Sequence, residues 1–421
     1  MALRDVKAHA ISKIKPMLKH IVPTGLRQSV KKSVLRKTEL KIQNDDIVPF
    51  QPGAGSFGVN LIGPLSSSTG LGQSFRLIEQ VFRDSEIPYS IYNYEINTYN
   101  TVDISGFADK LSADLPYSIN LWHINPAEFV EAYAVFGKEA FDAKYNIAFW
   151  LWELEEFPDE WIRYLHVLDE VWTPSAFITD AIRKKTDKPV LTMPYHVTAE
   201  CDTDRYDREY FGLPEDKFLF LMMYDTQSVS QRKNPDAVIE SYKMAFPKEK
   251  EDIGLVIKIN SADSRIMKEL ADKTAPYKNV YFIQDNLSKT AVNSLIADCD
   301  TYVSLHRAEG FGLVLAESML LHVPTIATNW SANTEFMNPE VACMVDYQMV
   351  TLEKDYIPYK KGNCWADPDV EQAALYMRQL SDDPEKVQNL AQKAYAFIID
   401  VLGMDRIKNK IENRLADINH A

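Results

Sequence analysis

From Phe57 to Thr328 the chain alternates short, β-prone apolar runs with longer amphipathic stretches. The first series of candidate strands is Phe57–Ile62, Tyr89–Tyr94, Ser118–Trp122, Ile147–Trp152 and Glu170–Thr173. A second series runs Phe218–Tyr224, Gly254–Ile259, Val280–Ile283, Thr301–Leu305 and Thr325–Thr328. Alternation of this kind predicts parallel sheets flanked by helices. The polar stretch Thr198–Arg208 separates the two series, and 421 residues exceed one ordinary core, so two α/β domains are expected. The long helical pattern from Pro384 to Ala421 closes the sequence, and no tandem repeat is visible.

Charge is unevenly spread. Residues 1–42 carry eleven Lys/Arg against Asp5 and Glu39, leaving the remainder of a chain of net charge −14 at −23. An acidic body repels phosphates, so nucleic acid is not an expected partner. Within the basic leader, Ile11, Ile14, Met17, Leu18 and Ile21 recur at helical spacing among lysines. Such a helix can lie on an anionic membrane surface, or it can be solvated or packed on protein; both readings stay open. No run of about 18 apolar residues predicts a membrane span, and the start lacks the apolar core of a secretory signal. Four scattered cysteines (Cys201, Cys299, Cys343, Cys364) without a C-x-x-C pair predict reduced thiols, no zinc site and a cytoplasmic setting.

The densest local signal is Ser304–Glu317, SLHRAEGFGLVLAE. It reads as the end of a strand, a tight Gly310-Phe311-Gly312 turn and the start of a helix. Backbone N–H groups at a helix start favour anions, and two glutamates flank the turn: Glu309 outside the helix, Glu317 inside it. A ligand with an anionic middle and hydroxyls at both ends, such as a nucleotide-sugar, fits that arrangement.

The E-x7-E element from Glu309 to Glu317, with Val323–Thr328 and Ser331–Phe336 around it, resembles the signature of retaining glycosyltransferases of family GT4, including bacterial polysaccharide and mannosyltransferase-like enzymes. The resemblance implies a GT-B fold, two Rossmann-like domains facing across a cleft. Its implied boundaries are a basic helical leader at 1–45, an acceptor domain at 46–200, a nucleotide-sugar domain at 205–395 and a terminal helix at 396–421 returning to the first domain. In the family the first glutamate contacts the donor sugar and the second the ribose, roles that fall on Glu309 and Glu317. Backbone N–H groups of Gly310, Phe311 and Gly312 would meet sugar and phosphate oxygens. A lysine followed by Asn or Gly grips the diphosphate, and Lys233-Asn234 matches. The family's arginine five positions earlier is Ser228 here, which leaves Arg232 as the candidate second charge.

Further candidates follow from the same resemblance. Gly70 and Gly72, in SSSTGLGQS after the first strand, match a glycine loop that approaches the diphosphate and acceptor. A plain helix-capping turn would read alike. His123 ends another strand and matches a cleft histidine. Gln284–Leu287 is the region expected near the base. In the block Phe149–Pro158, Trp150 and Trp152 read as strand core and Glu153 as a cleft residue. Asn333 and Glu335 fall near the nucleotide side.

Two motifs are set aside. Gly53-Ala54-Gly55-Ser56-Phe57-Gly58 matches G-x-G-x-x-G but runs into a strand rather than opening a helix. Asp202-Thr203-Asp204 and Asp367-Pro368-Asp369 match D-x-D, yet lie in loops away from the nucleotide-binding strands, so no metal and no other cofactor is expected. The implied reaction moves a hexose from a nucleoside-diphosphate sugar, first choice GDP-mannose, to a growing surface polysaccharide or lipid-linked glycan. UDP-glucose or a deoxysugar donor would leave similar motifs. The leader would then dock at the inner face of the plasma membrane. The alternatives are a catalytically inactive GT-B glycan-binding or scaffold subunit, and a sugar phosphorylase. Glu309→Ala is expected to abolish transfer and leave the fold intact.

Overall fold

A computed structural model describes residues 24–95 and 101–420, with side chains from residue 33. The chain divides into two compact units. One holds the chain up to Leu151, Phe157–His196 and Met404 onward; the other holds Trp152–Glu156 and Val197–Gly403. The leader's apolar positions Ile11 to Ile21 lie outside the described residues.

The first unit is built on six parallel strands in the order β2-β1-β3-β4-β5-β6. They are β1 (Ser56–Gly63), β2 (Tyr89–Asn93), β3 (Tyr117–Trp122), β4 (Tyr145–Phe149), β5 (Glu170–Thr173) and β6 (Val190–Thr192). Successive strand residues are buried, so both faces of the sheet are covered and the strands read as continuous apolar runs. Val59, Leu61, Ile91, Ile119, Leu121 and Ile147 are all buried. Three asparagines interrupt that core in register. Asn60 donates to Asn120 (2.8 Å) and Asn120 to Asn146 (2.9 Å), a polar ladder across β1, β3 and β4.

Helix Thr24–Asn44 packs on helix Pro126–Phe136, burying Ile42 and Thr38, while the Tyr133 hydroxyl donates to Asp45 at 2.6 Å. The described part of the leader is therefore packed on its own protein. The pattern read as one helix from Pro384 to Ala421 is two, Pro384–Val401 and Met404–His420. At the break, a Cβ on Gly403 would meet the Ile399 carbonyl oxygen at 2.8 Å. The later helix buries Ile407, Ile411, Leu415 and Ile418 against the first unit.

The second unit repeats the design, with strand order β12-β11-β10-β7-β8-β9. These are β7 (Phe218–Asp225), β8 (Ile253–Asn260), β9 (Val280–Ile283), β10 (Thr301–Ser304), β11 (Thr325–Thr328) and β12 (Cys343–Val345). An antiparallel hairpin, β13 (Tyr347–Thr351) and β14 (Cys364–Pro368), is added outside the sheet.

Chain order reverses beside the first strand of each sheet. β1 lies between β2 and β3, and β7 between β8 and β10. In open α/β sheets ligands bind at the carboxyl ends of the strands flanking such a reversal. The loops after β1 and β3, and after β7 and β10, are thereby singled out by topology alone.

Candidate active site

The loop after β7 leads into a single turn, Ser230–Lys233, and then a helix, Pro235–Ala245. Asn234 joins them in the left-handed conformation (φ 54°), and its side chain donates to the Leu305 carbonyl at 3.0 Å. That tie anchors the β7 loop to the β10 loop. Across it, Lys233 Nζ lies 2.5 Å from Glu309 Oε1, and Arg232 Nη1 lies 3.2 Å from the same oxygen. The pair Lys233–Glu309 therefore sits at the reversal between β7 and β10.

Glu309 is held from its backbone as well. Its N–H donates to Ser331 Oγ at 2.9 Å, and its carbonyl accepts from Ala332 N–H. Burial opposes ionisation of the carboxyl, but Lys233, Arg232 and His306 outweigh it and hold Glu309 down at about 2. Downstream, Gly312 adopts φ +99°, a left-handed turn that L side chains avoid, and opens helix Leu313–Leu320. Phe311 packs against Phe336, ring centroids 5.2 Å apart. Glu317 on this helix is buried and paired with Lys289 at 2.6 Å.

Arg232, the candidate second charge, is buried. Its side chain is only 6% exposed, Nη1 donates to the Ala308 carbonyl at 2.7 Å, and Nη2 stands 3.9 Å from Glu153. Burial lowers its pKa, yet Tyr359, Glu309 and Glu153 together raise it above the ordinary arginine value. The charge of Arg232 meets two carboxylates of its own unit. Glu309 is in turn the countercharge of a buried arginine, so Glu309→Ala is expected to cost the fold stability rather than leave it intact.

Glu153 reaches this cluster from the segment Trp152–Glu156, and its second oxygen accepts from the Tyr359 hydroxyl at 2.9 Å. Trp152 lies against the Tyr359 ring, centroids 5.4 Å apart. Strand β4 ends at Phe149, so Trp150 and Trp152 are buried but not strand. Tyr359 escapes sequence reading because the loop Lys354–Gly362 has no periodicity to mark one of its tyrosines as buried.

His123, Gly70 and Gly72 belong to the first unit. His123 follows β3, is buried, and stacks on Phe149 at 4.5 Å. Its Nε2 shares a hydrogen bond with Ser74 Oγ (2.8 Å), which also meets the Tyr195 hydroxyl (2.5 Å). Burial pushes the imidazole down to about 3, so the ring is neutral at physiological pH and is no proton donor there. The two glycines differ. Thr69 caps the helix Gly70–Asp84, where Gly70 faces open space. A Cβ on Gly72 would fall 2.1 Å from the Ser67 carbonyl oxygen. Gly72 is thus required by the loop's own backbone.

Asn333 is wholly buried between His306 (3.1 Å) and the Thr328 carbonyl (3.0 Å), whereas Glu335 is exposed. Of the D-x-D motifs, Asp367 pairs with Arg307 at 2.6 Å and Asp369 caps helix Val370–Asp382. Gln284–Asn286 lie exposed after β9, next to Lys289.

Residues 204–397 match the family model of group 1 glycosyl transferases. The matched stretch lies within the second unit. No curated protein matches the chain. Among solved structures, Anabaena HepE in complex with UDP-glucose aligns at TM-score 0.60 and 14% identity, over 86% of this chain and 100% of that one. Sucrose-phosphate synthase from Thermosynechococcus elongatus aligns at 0.63 and 12%, over 86% and 99%. S. aureus TarM, in complex with fondaparinux, α-GlcNAc-glycerol and UDP, aligns at 0.53 and 14% over 70% of this chain, which spans 55% of TarM's length. The fold is GT-B, and residues 204–397 resemble a glycosyl transferase domain. Among the described residues, no helix is long and apolar enough to cross a membrane.

Proposed function

We propose that this chain is a glycosyltransferase that moves a hexose from a nucleoside-diphosphate sugar to a growing surface polysaccharide or lipid-linked glycan, with retention of configuration. The reading is carried by one observation: Lys233 and Glu309 form an ion pair at the strand-order reversal of the second unit. Lys233 is the more exposed of its two cations (side chain 27%) and can turn from Glu309 to the departing diphosphate. Backbone N–H groups at the Gly310–Gly312 turn add fixed dipoles where charge develops, and preorganised dipoles of this kind usually stabilise a transition state more than any other single effect. Glu309, ionised, accepts from donor sugar hydroxyls, and Glu317 accepts from the ribose.

The same reading assigns no metal to the diphosphate. Attack by the acceptor on the face the diphosphate leaves would let the leaving phosphate take the acceptor proton, so no separate base is required. GDP-mannose is the first choice from sequence; the uridine nucleotides held by HepE and TarM make UDP-sugars an equal candidate. Cytoplasmic residence, and docking of the leader on anionic lipid, belong to this proposal too.

Calorimetry with GDP, UDP and ADP, without divalent metal, tests it. One diphosphate should bind selectively, and Lys233→Ala should weaken it at least tenfold. Failure of all three to bind would favour a catalytically inactive, glycan-binding GT-B subunit.

A further inference from the structure

Glu317 is the second buried carboxylate of the second unit's site, and a single described cation meets it. Lys289 Nζ lies 2.6 Å from Glu317 Oε1 while the Glu317 side chain is 2% exposed and that of Lys289 40%. The two come from helices that pack together, Lys289–Ala297 and Leu313–Leu320. Lys289 opens its helix immediately after Ser288, whose hydroxyl caps it by accepting from Ala291 N–H at 3.2 Å. The lysine thus stands between the exposed loop after β9 and the interior carboxylate.

We propose that Lys289 is a positioning residue for the donor nucleotide, its ammonium orienting the Glu317 carboxylate as acceptor for the ribose hydroxyl pair. The inference rests on the nucleotide-sugar reading above. A buried carboxylate without a cation is strongly disfavoured and takes up a proton instead. Burial already raises Glu317 above the ordinary carboxylate range, and Lys289 is what opposes that rise. The other groups around the helix do not replace it. Tyr302 on β10 is a buried neutral phenol facing both Glu317 and Glu309. Helix Pro384–Val401, also packed there, sets Tyr395 on His322 at 4.1 Å. A protonated Glu317 can accept fewer hydroxyl hydrogen bonds than an ionised one. Removing Lys289 therefore moves the protonation of Glu317 upward in pH, and nucleotide affinity is lost on the acid side first.

The test is calorimetric binding of UDP and GDP, each beside its 2′,3′-dideoxy counterpart, between pH 6 and pH 8. Relative to the wild-type chain, Lys289→Met should weaken binding of the preferred diphosphate at least tenfold more at pH 6 than at pH 8, and Lys289→Arg should restore the wild-type profile. The dideoxy nucleotide should show none of this added pH dependence. If Lys289→Met does not fold, Lys289→Gln carries the same comparison. A wild-type pH profile in the neutral variant, with the natural nucleotide still preferred over the dideoxy one, overturns the inference alone. Equal binding of natural and dideoxy nucleotides, or no binding of either diphosphate, overturns the ribose reading of Glu317 and this inference with it.

Discussion

At the scale of single residues, the site turns on how one carboxylate serves two cations with different surroundings. Lys233 is partly exposed, so its loss from Glu309 is softened by water; Arg232 is not. Breaking a buried pair strands the remaining charge and costs about 3–5 kcal/mol, whereas a partly exposed pair is worth about 1 kcal/mol or less. Glu309→Gln should therefore destabilise the second unit by several kcal/mol and abolish transfer. Lys233→Ala should leave stability within about 1 kcal/mol. Urea unfolding of both variants, with turnover measured in parallel, checks this; equal stabilities would show that Glu153 alone suffices for Arg232. The E-x7-E spacing and the Lys-Asn pair are legible because they are local in sequence. Arg232's burial is not, since it depends on Glu153 and Tyr359, 79 and 127 positions away.

At the scale of elements, period and composition carry the long strands. Candidates such as Phe218–Tyr224 and Gly254–Ile259 fall inside the observed β7 and β8. The short ones escape. β6 and β12 are three residues each, below any periodic signal, and β13 is mostly exposed, so its pattern reads as loop. Also hidden is the asparagine ladder, because β1, β3 and β4 become neighbours only in the fold. A polar row inside an apolar sheet specifies register, since a slip by one residue would bury all three amides unpaired. Asn120 stands in the middle, donating to Asn146 and the Ala140 carbonyl and accepting from Asn60. Asn120→Ala should lower the stability of the first unit by about 2–3 kcal/mol, the cost of unpaired buried amide groups. A loss under about 0.5 kcal/mol by urea titration would mean the ladder merely fills space.

At the scale of the whole molecule, composition and alternation suffice for two α/β units, but not for how the chain shares itself between them. Helix Met404–His420 belongs to the first unit although it follows some two hundred residues of the second. Its apolar stripe, Ile407, Ile411, Leu415 and Ile418, is legible as period; the reason for its placement is polar and is not. Glu170 on β5 is fully buried, accepting from Tyr145 (2.9 Å) and Trp172 (2.5 Å), and its only described cation is Arg414, at 2.5 Å. Without Arg414 the first unit would hold an uncompensated buried carboxylate. Arg414→Met keeps the stem and removes the charge, so it should cost the first unit about 3–5 kcal/mol while leaving nucleotide binding by the second unit unchanged. Joint measurement of urea unfolding and diphosphate calorimetry separates the two. Glu170→Gln made in addition should restore much of the stability, because it removes the charge that Arg414 balances. If the double variant is no more stable than Arg414→Met, the helix is held by its apolar stripe and the ion pair contributes little.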